Sequence, residues 1–465
     1  MVVSFWEVLD RAINTGPMLE PKEFDMLIFN KVSELIKEYD IHYDSNKPVP
    51  DDDNLADDLF EAGLRLYLDT GTYCLGSHRV IKFTEDEIKE ALKMVPSRLL
   101  IGEGAETKWL EKREIEDRRP PLNLGGVIES NPQEGEIFVK LYQSIAQEKV
   151  IDGIYWGPPF TIEGRGWRTG SPLELHAGRC AAAWVREALR RVGRPGLHLI
   201  SACPSGVADI AACDPDHGTR RSDAIAIPTT TELKVDYDSL TKVAFSIDYG
   251  CYRNPYWLPM IGGFAGGPAG AAITGVAGAF HSLLTCQTRL SGYNDISATF
   301  FGPPGKTSIH SETHRNTTWV TSLVIQSLSR NTDFINGRGA TTVSGPGSEM
   351  MFLENASSTI SAVVSGGHIL QGIRKAILVK PNQASGLEPK FQGEVGKAVA
   401  ELKRTDANEI VNALLNKFED NFASAPQGKS FEELYDLKTL TPKKDYLDVY
   451  LKAKEELVDL GINFQ

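Results

Sequence analysis

Gly193-Arg194-Pro195-Gly196-Leu197-His198-Leu199-Ile200 is a glycine- and proline-built turn that feeds a short apolar strand. The segment ahead of it, Leu173 to Arg191, carries its apolar residues at helical spacing. Similar short apolar runs stand upstream at Leu99-Leu100-Ile101 and Ile151-Asp152-Gly153-Ile154-Tyr155-Trp156. Downstream they recur at Ala224-Ile225-Ala226-Ile227, Val243-Ala244-Phe245-Ser246-Ile247, Ile296-Ser297-Ala298-Thr299-Phe300 and Ala340-Thr341-Thr342-Val343. Helical segments such as Ala269 to Leu290 and Thr313 to Ser329 separate many of them. Strands alternating with helices build a parallel sheet, because a parallel neighbour needs a crossover to return the chain. Enough repeats without a dinucleotide-binding fingerprint favour closure. The expected fold class is α/β, a (β/α)8 TIM barrel with N-terminal and C-terminal helical additions.

The additions are read from periodicity. Phe24 to Tyr39 and Leu55 to Leu68 show helical spacing, and Pro48-Val49-Pro50-Asp51-Asp52-Asp53 between them is a loop with a helix-start signal. The tail from Gly393 is helical and charged, with Lys and Glu at helical spacing around Val449 to Leu457. The expected division is an N-terminal helical segment over 1–75 packed on the barrel, the barrel over 76–400, and C-terminal helices over 401–465, within one structural domain.

Composition excludes several classes of function. The chain of 465 residues can bury a sizeable core. Its net charge of -13 disfavours non-specific nucleic-acid binding, which needs a basic surface. No apolar run reaches the roughly 18 residues of a membrane span. Met1 to Glu7 lacks a basic region followed by an apolar stretch. Cys74, Cys180, Cys203, Cys213, Cys251 and Cys286 form no CxxC pair, which fits a reducing interior. The expectation is a cytoplasmic protein with neither nucleic acid nor membrane as partner.

Five blocks, in their order and at their spacings, carry a family resemblance. The first is Tyr73-Cys74, His78-Arg79-Val80 and Phe83-Thr84-Glu85-Asp86-Glu87-Ile88, and the second is the Gly193 to Gly196 turn. The third is Pro259 with Gly262-Gly263-Phe264-Ala265-Gly266-Gly267, and the fourth Gly345-Pro346-Gly347-Ser348-Glu349-Met350. The fifth is Asn421 to Pro426, through Tyr435-Asp436-Leu437-Lys438-Thr439 to Thr441-Pro442. From about Pro17 to its C-terminus the chain resembles the monomethylamine methyltransferases of methylotrophic, methanogenic archaea.

The resemblance implies the same barrel and a methyl group passed from a small methylated amine to the cobalt of a separate corrinoid protein. It further implies a homo-oligomer and no tightly bound cofactor. In that family the strand matching Leu197 to Ile200 ends in pyrrolysine, an electrophilic imine on a lysine stem that captures methylamine. Here Ile200 is a branched alkane. Acidic positions of the family fall at Ala226 and Tyr256, a glutamine at Gly339 and a tyrosine at Thr341. The ring group and its partners change together, which points to a remodelled pocket and an amine other than monomethylamine, quaternary amines included. The chain contains no DxHxxG corrinoid-binding sequence, in keeping with a separate carrier.

Barrel enzymes place their sites at the C-terminal ends of strands. Read as the continuation of a strand, Ile247-Asp248-Tyr249-Gly250-Cys251-Tyr252-Arg253-Asn254-Pro255-Tyr256-Trp257 gathers four aromatics, an acid and an arginine. A quaternary ammonium has no N–H to donate, so aromatic faces suit it. A cation within roughly 6 Å of such a face gains about 0.5–2 kcal/mol. Tyr249, Tyr252, Tyr256 and Trp257 are the candidate cation box, and Arg253 the fork for an anionic end. Asp248 and Glu232 are the candidate catalytic acids. Ile200 would form an apolar floor, with Thr341 also lining the site. The plainer alternative is a rim of packed aromatics with a solvated arginine, and the sequence leaves both open.

Other features have bland and sharp readings side by side. His198, Cys203, Cys213, Asp214, Asp216 and His217 are zinc-ligand types, so zinc-assisted methyl transfer from methanol or a thiol is an alternative. Buried cysteine and satisfied histidine is the preferred reading, and no metal is assigned. A barrel that binds a corrinoid protein without turnover is the non-enzyme alternative. His310 and His314 share a face if helical and read as a helix start. Gly262 to Gly267 lacks the Lys-Ser/Thr of a phosphate loop and reads as close backbone approach at a barrel rim. Phe301-Gly302-Pro303-Pro304-Gly305-Lys306 is either a lid or a plain surface loop.

Overall fold

The computed structural model describes residues 3–126, 132–230, 232–301 and 310–464. Among these residues eight parallel strands close into a barrel in chain order. They are β1 (Leu122–Gly126), β2 (Gly153–Trp156), β3 (His198–Ser201), β4 (Ala224–Pro228), β5 (Tyr252–Trp257), β6 (Asn294–Ile296), β7 (Asn336–Thr342) and β8 (Ile369–Lys375). A helix follows each in turn: α1 (Glu136–Ala146), α2 (Pro172–Arg191), α3 (Gly206–Ala212), α4 (Tyr237–Tyr249), α5 (Pro268–Leu284), α6 (Arg315–Asn331), α7 (Glu349–Val364) and α8 (Leu387–Ala398). β8 pairs back onto β1 through Ile369 and Leu122, which closes the cylinder. The (β/α)8 architecture expected from the alternation is the one the chain adopts.

The turn at Gly193 illustrates how the repeat is made. The Ser171 hydroxyl caps α2 by accepting the Glu174 N–H, and Pro172 occupies the first turn. The helix stops where Gly193 takes φ 75°, a left-handed conformation that only glycine adopts at little cost. The N–H groups of Gly193 and Arg194 turn back to the carbonyls of Arg190 and Leu189 at 3.1 and 2.9 Å. The Arg194 guanidinium then forks onto Glu106 at 2.9 and 2.6 Å and donates to the Ile151 carbonyl at 2.8 Å. One side chain thereby ties the helix end to the approach of β2.

Below the barrel, Arg98–Ile101 and Lys108–Glu111 form an antiparallel hairpin. It inserts Leu99, Ile101 and Leu110 among Leu124, Ile200, Ala224, Ile335 and Ile369. The Tyr252 hydroxyl donates to the Leu100 carbonyl at 2.6 Å, and the Glu103 N–H to the Gly196 carbonyl at 2.8 Å. The N-terminal end of the barrel is therefore plugged.

Of the run Ile296 to Phe300 only Ile296 belongs to the barrel, while Thr299–Phe301 joins Met260–Ile261 and His310–Ser311 in a separate small sheet. Two further runs read as strands of the alternation have other places. Leu99 to Ile101 belongs to the plug, and the first barrel strand is Leu122–Gly126. Val243 to Ile247 lies inside α4, where Leu240, Val243 and Ser246 are buried at helical spacing. A run of five apolar-rich residues fits either period, and here length and packing select the helix.

The N-terminal helices Pro21–Glu38 and Asp53–Thr70 pack beside α5, with Phe60 and Tyr67 against Phe280 at ring distances of 5.6 and 6.1 Å. The C-terminal helix Lys444–Asp459 sets Tyr446 and Tyr450 against Phe352 of α7 at 6.0 and 5.9 Å. No helix among the described residues is long and apolar enough to cross a membrane.

Candidate active site at the barrel mouth

Strand geometry decides which predicted residues reach the mouth. Side chains alternate across a strand, so β5 sends Tyr252, Asn254 and Tyr256 inward and Arg253 and Trp257 outward. Inside, the Asn254 amide donates to the Tyr293 carbonyl at 3.0 Å and accepts from Gln371 at 3.1 Å. Outside, the Trp257 indole donates to the Gly275 carbonyl of α5 at 3.0 Å. Arg253 is 2% exposed beside Cys251 and Cys286, and burial pushes its guanidinium down to about 10. Tyr249 closes α4 with its hydroxyl on the Thr219 carbonyl at 2.9 Å, and Asp248 is exposed on the same helix. Tyr252 points to the plugged end. The segment is a helix end, a turn and a strand, not a loop, so the expected aromatic box does not assemble and Arg253 lies outside the lining of the mouth.

The remaining predicted residues divide between support and wall. Glu232 follows β4, and its Oε1 accepts the Ala265 N–H at 3.0 Å; burial raises its carboxyl. It holds the Gly262–Gly267 loop and lies outside the lining of the mouth. Thr341 is buried in β7 with its N–H on Glu312 Oε2 at 2.8 Å. Ile200 is fully buried in the interior layer, below Ala202, which with Cys203 and Pro204 lines the mouth. Of the predicted set, Tyr256 stands in the pocket wall.

The mouth encloses a cavity of about 200 Å³, against the roughly 10–15 Å³ that one water needs on the same measure. Tyr155, Ala202, Cys203, Ala226, Tyr256, Asp295 and Arg374 line it, with Phe160 and Trp167 of the β2–α2 connection at the rim. The two rim rings stack at 6.1 Å and 10°. The Trp167 indole is held by the Pro159 carbonyl at 2.6 Å.

The polar wall is built across three strands. Asp295 of β6 is 6% exposed, and its Oδ1 accepts the Gly339 N–H at 3.1 Å. Burial pushes its carboxyl up to about 7, against the opposing pull of Arg374. Arg374 of β8 reaches Glu312 Oε1 at 3.5 Å. Glu312 is fully buried, and its backbone carbonyl accepts the Arg338 guanidinium at 2.6 Å. Gly339 of β7 makes the assembly possible. A Cβ there would stand 3.4 Å from Arg374 Nη1 and 3.6 Å from Asp295 Oδ2, so any longer side chain would take their space. Opposite, the Tyr155 hydroxyl is buried without a hydrogen-bond partner among the described residues, and burial raises it well above its ordinary range.

A buried ion pair fixes the end of β3. Lys242 of α4 meets Asp209 of α3 at 2.7 Å and donates to the Cys203 carbonyl at 2.7 Å, both side chains being fully buried. Asp209 accepts the Cys203 N–H at 3.2 Å and the Ser201 hydroxyl. Burial holds the Cys203 thiol protonated, which makes it a wall residue and a poor nucleophile. His198 lies at the other end of β3, bound to the Ser222 carbonyl at 2.8 Å and the Tyr293 hydroxyl at 2.7 Å. The zinc-type residues are thus spread over both ends of the strand and a surface loop. Among the described residues no cluster of three His, Cys, Asp or Glu is arranged to hold a metal ion. His314 caps α6 through the Asn316 N–H at 3.1 Å, while His310 lies in a short strand before it, so the two share no helix face. Gly302 to Lys306, the candidate lid, lies outside the described residues.

Asp295, Arg374, Tyr155 and the Phe160–Trp167 rim were not among the residues picked from sequence. A signal for one existed: Ile369-Leu370-Gln371-Gly372-Ile373-Arg374-Lys375 follows Gly366-Gly367 and ends in charge, as a barrel strand reaching a mouth does.

A parallel barrel with a plugged base and a mouth that pairs a buried acid and a guanidinium with stacked aromatics defines a TIM-barrel enzyme acting on a small molecule. Comparison with known proteins narrows the class. The family model for "Monomethylamine methyltransferase MtmB" matches residues 3–462, and the chain belongs to that family of methyltransferases. It is 30% identical over 463 residues to monomethylamine methyltransferase MtmB of Methanosarcina mazei, covering 99% of this chain and 98% of the relative. It is 30% identical over 467 residues to MtmB2 of Methanosarcina acetivorans, with the same coverage. The crystal structure of the Methanosarcina barkeri monomethylamine methyltransferase matches with a TM-score of 0.92 at 29% identity, over 99% of this chain and 98% of that one. A crystal structure of a hydroxylamine complex of MtmB matches equally well, with a TM-score of 0.92.

Proposed function

We propose that this enzyme passes a methyl group from a small methylated amine other than monomethylamine to the cobalt of a separate corrinoid protein, without pyrrolysine. The observation that supports the reading is the end of β3. Ile200 lies buried under the mouth and Ala202 lines it. Both are hydrocarbon, and it is at Ile200 that the family resemblance places an imine that captures a primary amine. Neither forms a bond to nitrogen.

A fully substituted ammonium needs no such capture, because it departs as a neutral amine. The C–N bond breaks with its electron pair left on nitrogen, and the reduced cobalt of the carrier supplies the pair for the new bond to carbon. No proton changes hands. The chain's own part is to bind, orient and exclude water. Tyr155, Tyr256, Phe160 and Trp167 present aromatic surface suited to a cation. The plugged base leaves the mouth as the direction in which the methyl group faces its acceptor.

A separate carrier suits both the sequence, which has no DxHxxG, and the rim. Phe160, Ile377 and Val379 follow barrel strands and are exposed at 49%, 52% and 54%. The exposed Trp6 and Met18 of the N-terminal segment support a homo-oligomer, which light scattering tests. A cytoplasmic location accompanies this reading. A single calorimetric transition would support segments 1–75, 76–400 and 401–465 as one domain.

The experiment is a visible-spectrum assay of a reduced corrinoid protein with monomethylamine, trimethylamine and quaternary amines. Methylation of the carrier by a quaternary amine and not by monomethylamine is expected. Methylation by monomethylamine alone overturns the reading.

A further inference from the structure

The charges around the pocket balance. Asp295 and Arg374 are the charged residues of its lining, and behind them Glu312 meets Arg374 while Arg338, turned toward α7, holds the Glu312 backbone carbonyl. The Lys242–Asp209 pair behind Cys203 is likewise neutral as a unit. A bare alkylammonium would find no excess of negative charge here. A guanidinium lies at one side of the cavity, and at the other a buried phenol hydroxyl without a partner among the described residues stands by the aromatic surface. Gly339 leaves the guanidinium its space, and Glu312 orients it from behind.

We propose that the substrate is an N-methylated zwitterion, whose carboxylate is forked by Arg374 and whose methylated ammonium rests against Tyr155 and Tyr256. Arginine suits this part because its planar fork matches a carboxylate, and binding both ends of a molecule fixes where its methyl group points. The inference names the substrate class for the methyl-transfer reading and rests on that reading only for turnover. Binding tests it independently.

The probes are N,N,N-trimethylglycine and choline, which share the trimethylammonium head and differ in a carboxylate against a hydroxyl. Calorimetry on the full chain is expected to give trimethylglycine about 10- to 100-fold the affinity of choline, the range of a charge-assisted hydrogen-bond pair. Arg374→Gln is expected to abolish the preference while still binding choline, which reports that the variant is folded. Arg374→Lys, which keeps charge and loses the fork, is expected to fall between. Failure of the parent to bind trimethylglycine, equal binding of the two probes, or a preference kept in Arg374→Gln overturns the proposal. Carrier methylation separates the two claims. Zwitterion preference without methylation by any amine defeats the methyl-transfer reading alone. Methylation by tetramethylammonium with no preference for the zwitterion defeats the subsite alone.

Discussion

Replacing Asp295 with Asn removes a charge from the pocket wall and keeps its shape. The carboxyl titrates at about 7 in the folded chain, against about 4 when unfolded. Because the folded value is the higher, the native state holds a proton that the unfolded state has already lost. The parent's stability therefore falls as pH rises between those two values and levels off above about 7. Ionising so shielded a carboxyl costs about 4 kcal/mol in all, of which about 3 kcal/mol accrues between about pH 5 and about pH 8. Asn has no proton to lose and avoids the cost. An unfolding entropy of about 2.1 cal/mol/K per residue gives roughly 1 kcal/mol/K for 465 residues. The melting temperature of Asp295→Asn minus that of the parent should therefore widen by about 3 °C from about pH 5 to about pH 8. Arg374, Glu312, Arg338 and Tyr155 face the carboxyl in both proteins, so the change in the gap isolates Asp295. Calorimetric scans at one heating rate measure it. A gap that stays constant, or narrows toward the alkaline side, refutes the reasoning.

Lys242→Met strands the Asp209 charge in the interior and should cost about 3–5 kcal/mol. Lys242→Met with Asp209→Leu should recover most of that, and an unshifted melting curve in the single variant would contradict the pair's structural role. Phe160→Ala removes half of the stacked rim and should raise KM for the amine roughly 2- to 10-fold; an unchanged KM would exclude the rim from binding. Arg253→Ala should lower the melting temperature and leave KM for the amine alone. A large rise in KM with an unaltered melting temperature would restore the carboxylate role that the sequence suggests for Arg253.

Much of the barrel was legible because its turns and strand cores are local. The Gly193–Gly196 turn, the run from Ala224 and the helix from Leu173 each carry their own conformational signal within a few residues. The failures are of two physical kinds. Val243–Ile247 is short enough to satisfy both periods, and only its packing within α4 resolves it. Tyr252–Trp257 escaped as a strand because both of its faces are buried in different surroundings, so its polar, aromatic and proline residues show no alternation of hydrophobicity. That one misreading moved Arg253 and Trp257 to the wrong side of the wall and made a cation box of residues that point four ways. Asp295 and Arg374 are separated by a whole strand–helix repeat, and their meeting over Gly339 depends on barrel register, which no linear spacing encodes.

The plug beneath the barrel has a kinetic consequence. With the hairpin of Leu99, Ile101 and Leu110 filling the base, the mouth is, among the described residues, the doorway that amine and demethylated product share. A macromolecular acceptor that reaches the methyl group must sit on that same doorway. Turnover should then follow a compulsory order, amine first and carrier second, with product released only after the carrier departs. Excess carrier should slow the reaction at low amine by trapping the empty enzyme in a dead-end complex, and that inhibition should vanish as amine saturates.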